Sequence, residues 1–174
     1  MAESFLNMLA EGGKKNTLGR AEEVVQIVLS DQARLDELYQ CLFDDDAWLR
    51  MRAVDALEKV CRVHPHWLEP YVEKLLTEVA AIDQASIQWH LAEMFNEISL
   101  TPDQEKRAIA IMKRTIATND VDWIVASNTM NTLAAYVGEG KLPALELAPL
   151  LKIQQTHHSK AVVKRATRLL VQLG

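Results

Sequence analysis

Residues 46–60 read Asp46-Ala47-Trp48-Leu49-Arg50-Met51-Arg52-Ala53-Val54-Asp55-Ala56-Leu57-Glu58-Lys59-Val60. The apolar residues of this stretch recur at intervals of three and four, which is the spacing of one face of an α-helix. The aspartate at its start carries the kind of side-chain oxygen that caps helix N-termini. The stretch therefore predicts an amphipathic helix that begins just after Asp46.

The same apolar pattern returns three more times along the chain. Its first positions are spaced 38, 38 and 37 residues apart, at Leu49, Ile87, Val125 and Val162. Two further apolar columns keep these offsets, at Leu57, Phe95, Leu133 and Leu170, and at Val60, Ile98, Tyr136 and Leu173. Small residues follow each start, at Ala53, Ala92, Thr129 and Ala166. Three columns at matching offsets indicate an internal repeat with the length of two helices.

Strand signals are almost absent, and short loops with capping residues separate the helical segments. Thr101-Pro102 predicts an N-cap followed by proline at the first helical position, with Glu105 as the capping-box partner. We predict helices at residues 2–11, 18–29, 31–43, 46–63, 67–81, 84–99, 102–118, 121–137, 142–155 and 159–173. Because a helical hairpin cannot bury its apolar face alone, these hairpins must stack on one another.

Residues 46–60 closely resemble the second helix of a HEAT repeat. That family's pattern has an acid in the turn, an aliphatic-Arg pair, Ala, Ala-Leu and a closing aliphatic residue, matched here by Asp46, Leu49-Arg50, Ala53, Ala56-Leu57 and Val60. Later units keep the apolar positions but carry Gln88 and Ala126 in place of the arginine. The resemblance implies an all-α, right-handed α-solenoid of about five HEAT-like helical hairpins. It would form a single domain, 1–174, with units at approximately 1–29, 30–64, 65–100, 101–139 and 140–174.

Composition and charge exclude several classes of protein. The net charge of −5 argues against general affinity for nucleic acids, although it divides into −7 over residues 1–87 and +2 over residues 88–174. Two isolated cysteines, Cys41 and Cys61, do not make a disulfide framework. No apolar run approaches the roughly 18 residues of a membrane span. The N-terminus lacks the basic region of a signal peptide, so we expect a cytoplasmic protein.

The resemblance implies that the second helices line the concave side of the stack. Helical angles give each second helix a polar row opposite its core face, and these rows run from acidic to basic along the chain. The candidate partner-binding residues are Met51, Asp55, Glu58, Trp89, Glu93, Asn96, Asn131, Lys164 and Arg168. Trp89 allows two interpretations, contact with a partner or packing between repeats. Acidic groups beside apolar anchors favour a basic amphipathic segment as the partner.

Nothing in the sequence indicates catalysis, and we predict no catalytic residue, no metal site and no cofactor. The loop histidines, His64, His66, His157 and His158, have neither cysteines nor acids at metal-ligand spacing. HEAT-like hydroxylases that hold two irons use His-Glu dipeptides, and this chain contains none. HEAT-like DNA glycosylases use a basic concave cleft, whereas the acidic half of this row would repel phosphates.

Three functional hypotheses follow. The first is a non-enzymatic HEAT-like scaffold or adaptor that binds a protein segment in its concave groove. The alternative is a HEAT-like nucleic-acid-binding or DNA-repair protein that uses the basic C-terminal half, including Lys164, Arg165 and Arg168. The third is a structural subunit that self-associates through the C-terminal hairpin, because its last helix ends in Leu169-Leu170-Val171-Gln172-Leu173, which is largely apolar. None of these involves a membrane.

Overall fold

The computed structural model describes residues 3–11, 14 and 16–174. These residues form ten α-helices and no β-strand. The helices are α1 (Phe5–Ala10), α2 (Ala21–Ser30), α3 (Leu35–Gln40), α4 (Ala47–Val63), α5 (Val72–Thr77), α6 (Ala85–Glu97), α7 (Pro102–Thr115), α8 (Trp123–Gly138), α9 (Ala144–Gln154) and α10 (Lys160–Leu173). Short 3₁₀ helices at Gln32–Arg34, Cys41–Phe43, Pro65–Tyr71 and Val79–Ala81 flank α3 and α5.

The predicted helices agree with these bounds to within about three residues when the 3₁₀ helices that flank α3 and α5 are counted with them; α5 by itself is shorter than the predicted 67–81 by five residues at its start and four at its end. The predicted start of the first helix, at residue 2, lies outside the described residues. Within the part of the chain that the structure describes, no helix combines the length and the apolar character needed to cross a bilayer.

The even-numbered helices lie side by side in chain order. α2 packs against α4, α4 against α6, α6 against α8, and α8 against α10. Most odd-numbered helices pack on this row, with α1 on α2, α3 on α4, α7 on α8 and α9 on α10, whereas α5 packs against α7. Side chains that are one repeat apart in the sequence therefore become neighbours across adjacent even-numbered helices.

The repeated apolar columns form the core, as their spacing predicts. The four residues that begin the repeats, Leu49, Ile87, Val125 and Val162, are all buried. The four small residues, Ala53, Ala92, Thr129 and Ala166, are buried as well, which lets neighbouring helices approach closely. In the last helix Leu170 and Leu173 are half-buried. Burial of such side chains is worth roughly 1.5–3 kcal/mol each, so these columns dominate the stability of the row.

Side-chain caps fix where α4, α7 and α8 begin. Asp46 Oδ1 accepts a hydrogen bond from Trp48 N at 2.8 Å, and Asp122 Oδ1 accepts one from Ile124 N at 2.8 Å. Thr101 caps α7, but the partner in its capping box is Gln104 and not the predicted Glu105. Because α7 begins at Pro102, Gln104 occupies the third helical position, from which its side chain reaches the backbone N–H of Thr101.

Buried polar side chains join one repeat to the next. Tyr136 on α8 donates a hydrogen bond of 2.6 Å to the carbonyl of Phe95 on α6. Gln154 on α9 donates to the carbonyls of Ile116 and Thr118, at 2.9 and 2.7 Å. These bonds give carbonyl groups near helix ends the partners that burial demands, so they hold the register between repeats.

Candidate functional site

A cavity of about 270 Å³ lies across three successive helices of the row, α4, α6 and α8. Its lining residues are Glu58, Arg62, Glu93, Asn96, Glu97, Asn128, Asn131 and Thr132. Three carboxylates and one guanidinium give this lining a formal charge of −2, and the other lining side chains are amides and a hydroxyl. We call this cavity the acidic groove.

The structure brings together four of the nine residues predicted to bind a partner. Glu58, Glu93, Asn96 and Asn131 all line the acidic groove, although they come from three different helices. The groove lining also contains Arg62, which the helical angles did not single out. The other five predicted residues, Met51, Asp55, Trp89, Lys164 and Arg168, are not among the described residues that line it.

These five residues have different surroundings. Met51, Asp55 and Trp89 are half-buried, whereas Lys164 and Arg168 are exposed on α10. The Asp55 carboxylate lies 3.0 Å from Lys59 Nζ. The Trp89 ring stacks on the ring of His90, with 3.4 Å between ring centroids.

Glu58 differs from the expectation of a surface carboxylate, because its residue is only 3% exposed. The reason is that α6 packs against α4 on this side. Arg62, one turn further along α4, donates to Glu58 Oε1 from Nε at 3.0 Å and from Nη2 at 2.6 Å. Burial nevertheless raises the pKa of Glu58, with Arg62 opposing the rise. The Glu58 Oε2 atom is left free of this ion pair.

His90 lies opposite this free oxygen and is 2% exposed. Its Nδ1 atom is 4.0 Å from Glu58 Oε2, which is too long for a hydrogen bond. Nδ1 is buried and has no hydrogen-bond partner among the described residues. Burial lowers the pKa of His90 to about 3, so its imidazole is neutral at neutral pH.

Glu93 completes a cluster with Glu58 and His90. One potential ligand atom from each of the three side chains lies within 4.8 Å of the others. Glu93 Oε2 is 3.6 Å from Arg62 Nη2, and burial together with repulsion from Glu58 raises the pKa of Glu93. Two carboxylates and one imidazole are the donor types that bind divalent metals, so these residues could hold a cation.

This cluster is not among the sites predicted from the sequence. Helical angles describe each helix in isolation, and they did not single out His90 as a candidate. The signal present in the sequence is a histidine and a glutamate three residues apart on one helix, which share a face. What the spacing could not supply is the third ligand, Glu58, which comes from the neighbouring helix.

Several cations of the central and C-terminal parts of the chain are engaged by carboxylates. Lys113 Nζ lies 2.6 Å from Glu146, Arg107 Nη1 lies 2.7 Å from Glu73, and Lys141 Nζ lies 3.2 Å from Glu105. These ion pairs reduce the positive surface that a nucleic acid would require.

Comparison with known proteins points to one family. A family model described as a HEAT repeat domain matches residues 8–116, which is well over half of the chain. No curated protein and no solved structure matches the chain.

Proposed function

This chain belongs to the HEAT-repeat family, and we propose that it is a non-enzymatic scaffold that binds a protein segment in the acidic groove. The family provides helical-repeat scaffolds and protein-interaction modules. The proposal includes a right-handed solenoid of five hairpins, with units at 1–29, 30–64, 65–100, 101–139 and 140–174. The observation that carries it is the cavity that α4, α6 and α8 share.

The charge of the groove favours a basic segment. With Glu58, Glu93 and Glu97 against the single cation Arg62, a lysine or arginine side chain gains attraction from this lining. Glu93 has a side chain that is 30% exposed, so it is accessible to a ligand that enters the groove. Glu58 would attract the basic side chain without touching it, because the Glu58 carboxylate is buried.

The amide side chains of the groove suit the backbone of an extended segment. Asn96, Asn128 and Asn131 each offer two N–H donors and one oxygen acceptor. A peptide backbone presents one donor and one acceptor per residue, so it can pair with such groups whatever its sequence. In this proposal the amides position the segment and the carboxylates select its basic residues.

The residues outside the cavity extend the proposed surface along the row. Met51 and Trp89 supply apolar contact at the acidic end, and Lys164 and Arg168, exposed on α10, meet acidic residues of the partner. Because Trp89 is half-buried, the partner would contact only the exposed part of this residue.

A peptide library displayed on phage and selected on the immobilised protein tests this function. We expect enrichment of segments rich in lysine and arginine, with affinities that fall as salt is raised because the charges are partly exposed. Glu93→Lys should weaken the selected peptides at least about tenfold, which corresponds to about 1.4 kcal/mol.

Glu69→Lys is the matched control, because Glu69 is exposed and lies outside the groove. It makes the same change in net charge and should leave the affinity nearly unchanged. No enrichment of basic segments, or equal losses in the two variants, would overturn the proposed function.

A further inference from the structure

We propose that Glu58, His90 and Glu93 form a binding site for one divalent transition-metal ion, with zinc as the best match to the donor set. Carboxylate and imidazole ligands suit zinc and its neighbours in the first transition row. This proposal goes beyond the binding of a protein segment and does not depend on it.

The spacing of the ligand atoms favours a bridging ion. Glu58 Oε2 and His90 Nδ1 are 4.0 Å apart, and all three ligand atoms lie within 4.8 Å of one another. Zinc binds nitrogen and oxygen at about 2.0–2.2 Å, so neighbouring ligand atoms around it are about 3–4 Å apart. The gap between His90 and Glu58 is therefore too wide for a hydrogen bond and close to the size that an ion would fill. Glu93, the most exposed of the three side chains, needs only a small movement to join.

The buried nitrogen of His90 is the observation that singles out this cluster from an ordinary group of acids. A buried polar atom without a partner costs free energy, of the order of 1–3 kcal/mol. Nδ1 of His90 bears this cost on the side of the ring that faces Glu58. An ion between the two side chains would remove it, because the imidazole lone pair would then have an acceptor for its electrons.

Arg62 supplies the outer support that metal-ligand carboxylates usually have. Its Nε and Nη2 atoms both donate to Glu58 Oε1, at 3.0 and 2.6 Å. This pair fixes the orientation of the carboxylate and leaves Oε2 directed at His90. Hydrogen bonds of this kind orient ligands and raise affinity for the metal.

The groove provides an entry path and an open coordination position. Glu58 and Glu93 both line the cavity, so an ion reaches them from solvent. Three protein ligands leave one position of a tetrahedral ion free on the groove side. The formal charge of −2 on the groove lining favours a divalent cation over an anion at this place.

Titration with cobalt and zinc tests the site. The protein is treated with a chelator, freed of it and titrated with Co²⁺, whose visible absorption reports coordination by protein ligands, and Zn²⁺ is then added as a competitor. We expect one Co²⁺ per chain, displaced by one Zn²⁺. Glu93→Ala should lower the affinity at least about tenfold, and it should fold because its side chain is partly exposed.

Glu69→Ala is the matched control, since it makes the same change in net charge at an exposed glutamate that lies outside both the groove and the cluster. It should keep the affinity within about twofold of the wild type. The proposal is overturned if no metal binds at millimolar concentration. It is also overturned if Glu93→Ala binds as tightly as the wild type, because the metal would then bind outside this cluster.

Discussion

Arg52 and His90 occupy equivalent positions of two consecutive repeats, and both are buried. The polar atoms of Arg52 are hydrogen-bonded, whereas Nδ1 of His90 is not. The Arg52 guanidinium donates to the carbonyls of Leu9, Lys14 and Thr17, at 2.6, 3.2 and 2.8 Å. His90 faces a carboxylate oxygen 4.0 Å away, and its Nδ1 has no partner within the described part of the chain.

A second buried histidine sharpens the comparison. His157 is 5% exposed, and the backbone N–H of Ser159 donates to its Nδ1 at 2.9 Å. Its Nε2 therefore carries the proton and donates to the carbonyl of Val121 at 2.7 Å. Arg52 and His157 thus hold loops in place, whereas His90 combines burial with an unused ligand atom. A buried polar atom without a partner needs an explanation, and at His90 Nδ1 the neighbouring carboxylates of Glu58 and Glu93 favour a bound cation.

Arg52→Met should produce the largest loss of stability. The substitution keeps the apolar stem but leaves three carbonyl groups, those of Leu9, Lys14 and Thr17, without their donor. Because each buried acceptor left unpaired costs about 1–3 kcal/mol, we expect a loss of about 3–5 kcal/mol in the free energy of unfolding, measured by urea denaturation. Arg168→Met, at an exposed position of α10, should change the free energy of unfolding by less than about 0.5 kcal/mol. If the two substitutions changed the free energy of unfolding equally, the hydrogen bonds of Arg52 would not stabilise the fold.

His157→Leu should have the next largest effect. Both ring nitrogens are hydrogen-bonded, so leucine of similar size leaves the Val121 carbonyl and the Ser159 N–H unpaired. We expect a loss of about 2–3 kcal/mol in the same measurement. A change below 1 kcal/mol would mean that solvent replaces these bonds at little cost.

His90→Leu makes the same chemical change at the other buried histidine and should cost least. No hydrogen bond to Nδ1 is lost, and an unpaired polar atom is replaced by an apolar one. The free energy of unfolding of the metal-free protein should stay within about 1 kcal/mol of the wild type. If His90→Leu lowers the free energy of unfolding as much as His157→Leu does, His90 stabilises the fold like His157, and the proposed difference between the two residues is wrong.

The reactivity of the two buried cysteines tests whether solvent reaches the core of the native protein. Burial raises the pKa of both Cys41 and Cys61 to about 12, so their thiols are protonated and unreactive at about pH 8. We expect no reaction of native protein with an aromatic disulfide reagent, and reaction of both thiols after denaturation. Rapid labelling of Cys61 in native protein would show that α4 opens near Glu58.

The sequence was sufficient for the fold because apolar spacing and cap chemistry are local. Leu49, Ile87, Val125 and Val162 recur at helical positions one repeat apart, and all of them are buried. The same reasoning found Glu93, Asn96 and Asn131, which line the groove. These residues point away from the core of their own helix, and no neighbouring helix buries their side chains completely.

The sequence was not sufficient to predict the contacts between side chains of two packed helices. Glu58 stands opposite the core face of α4 on a helical wheel, but α6 packs over it and leaves it 3% exposed. His90 lies on a flank of α6, and that flank faces α4. The distance between the two side chains depends on how the helices pack, which the spacing within either helix does not determine.

The central claim is that polar atoms left unpaired at the acidic groove serve a ligand, and the most direct test observes the two buried histidines together. Long-range ¹H–¹⁵N spectra of protein labelled at histidine ring nitrogens report each ring before and after one equivalent of Zn²⁺. We predict that the ring signals of His90 move, while those of His157 stay in place with Nε2 protonated. Unchanged signals from His90, with changes confined to the exposed histidines, would contradict the account.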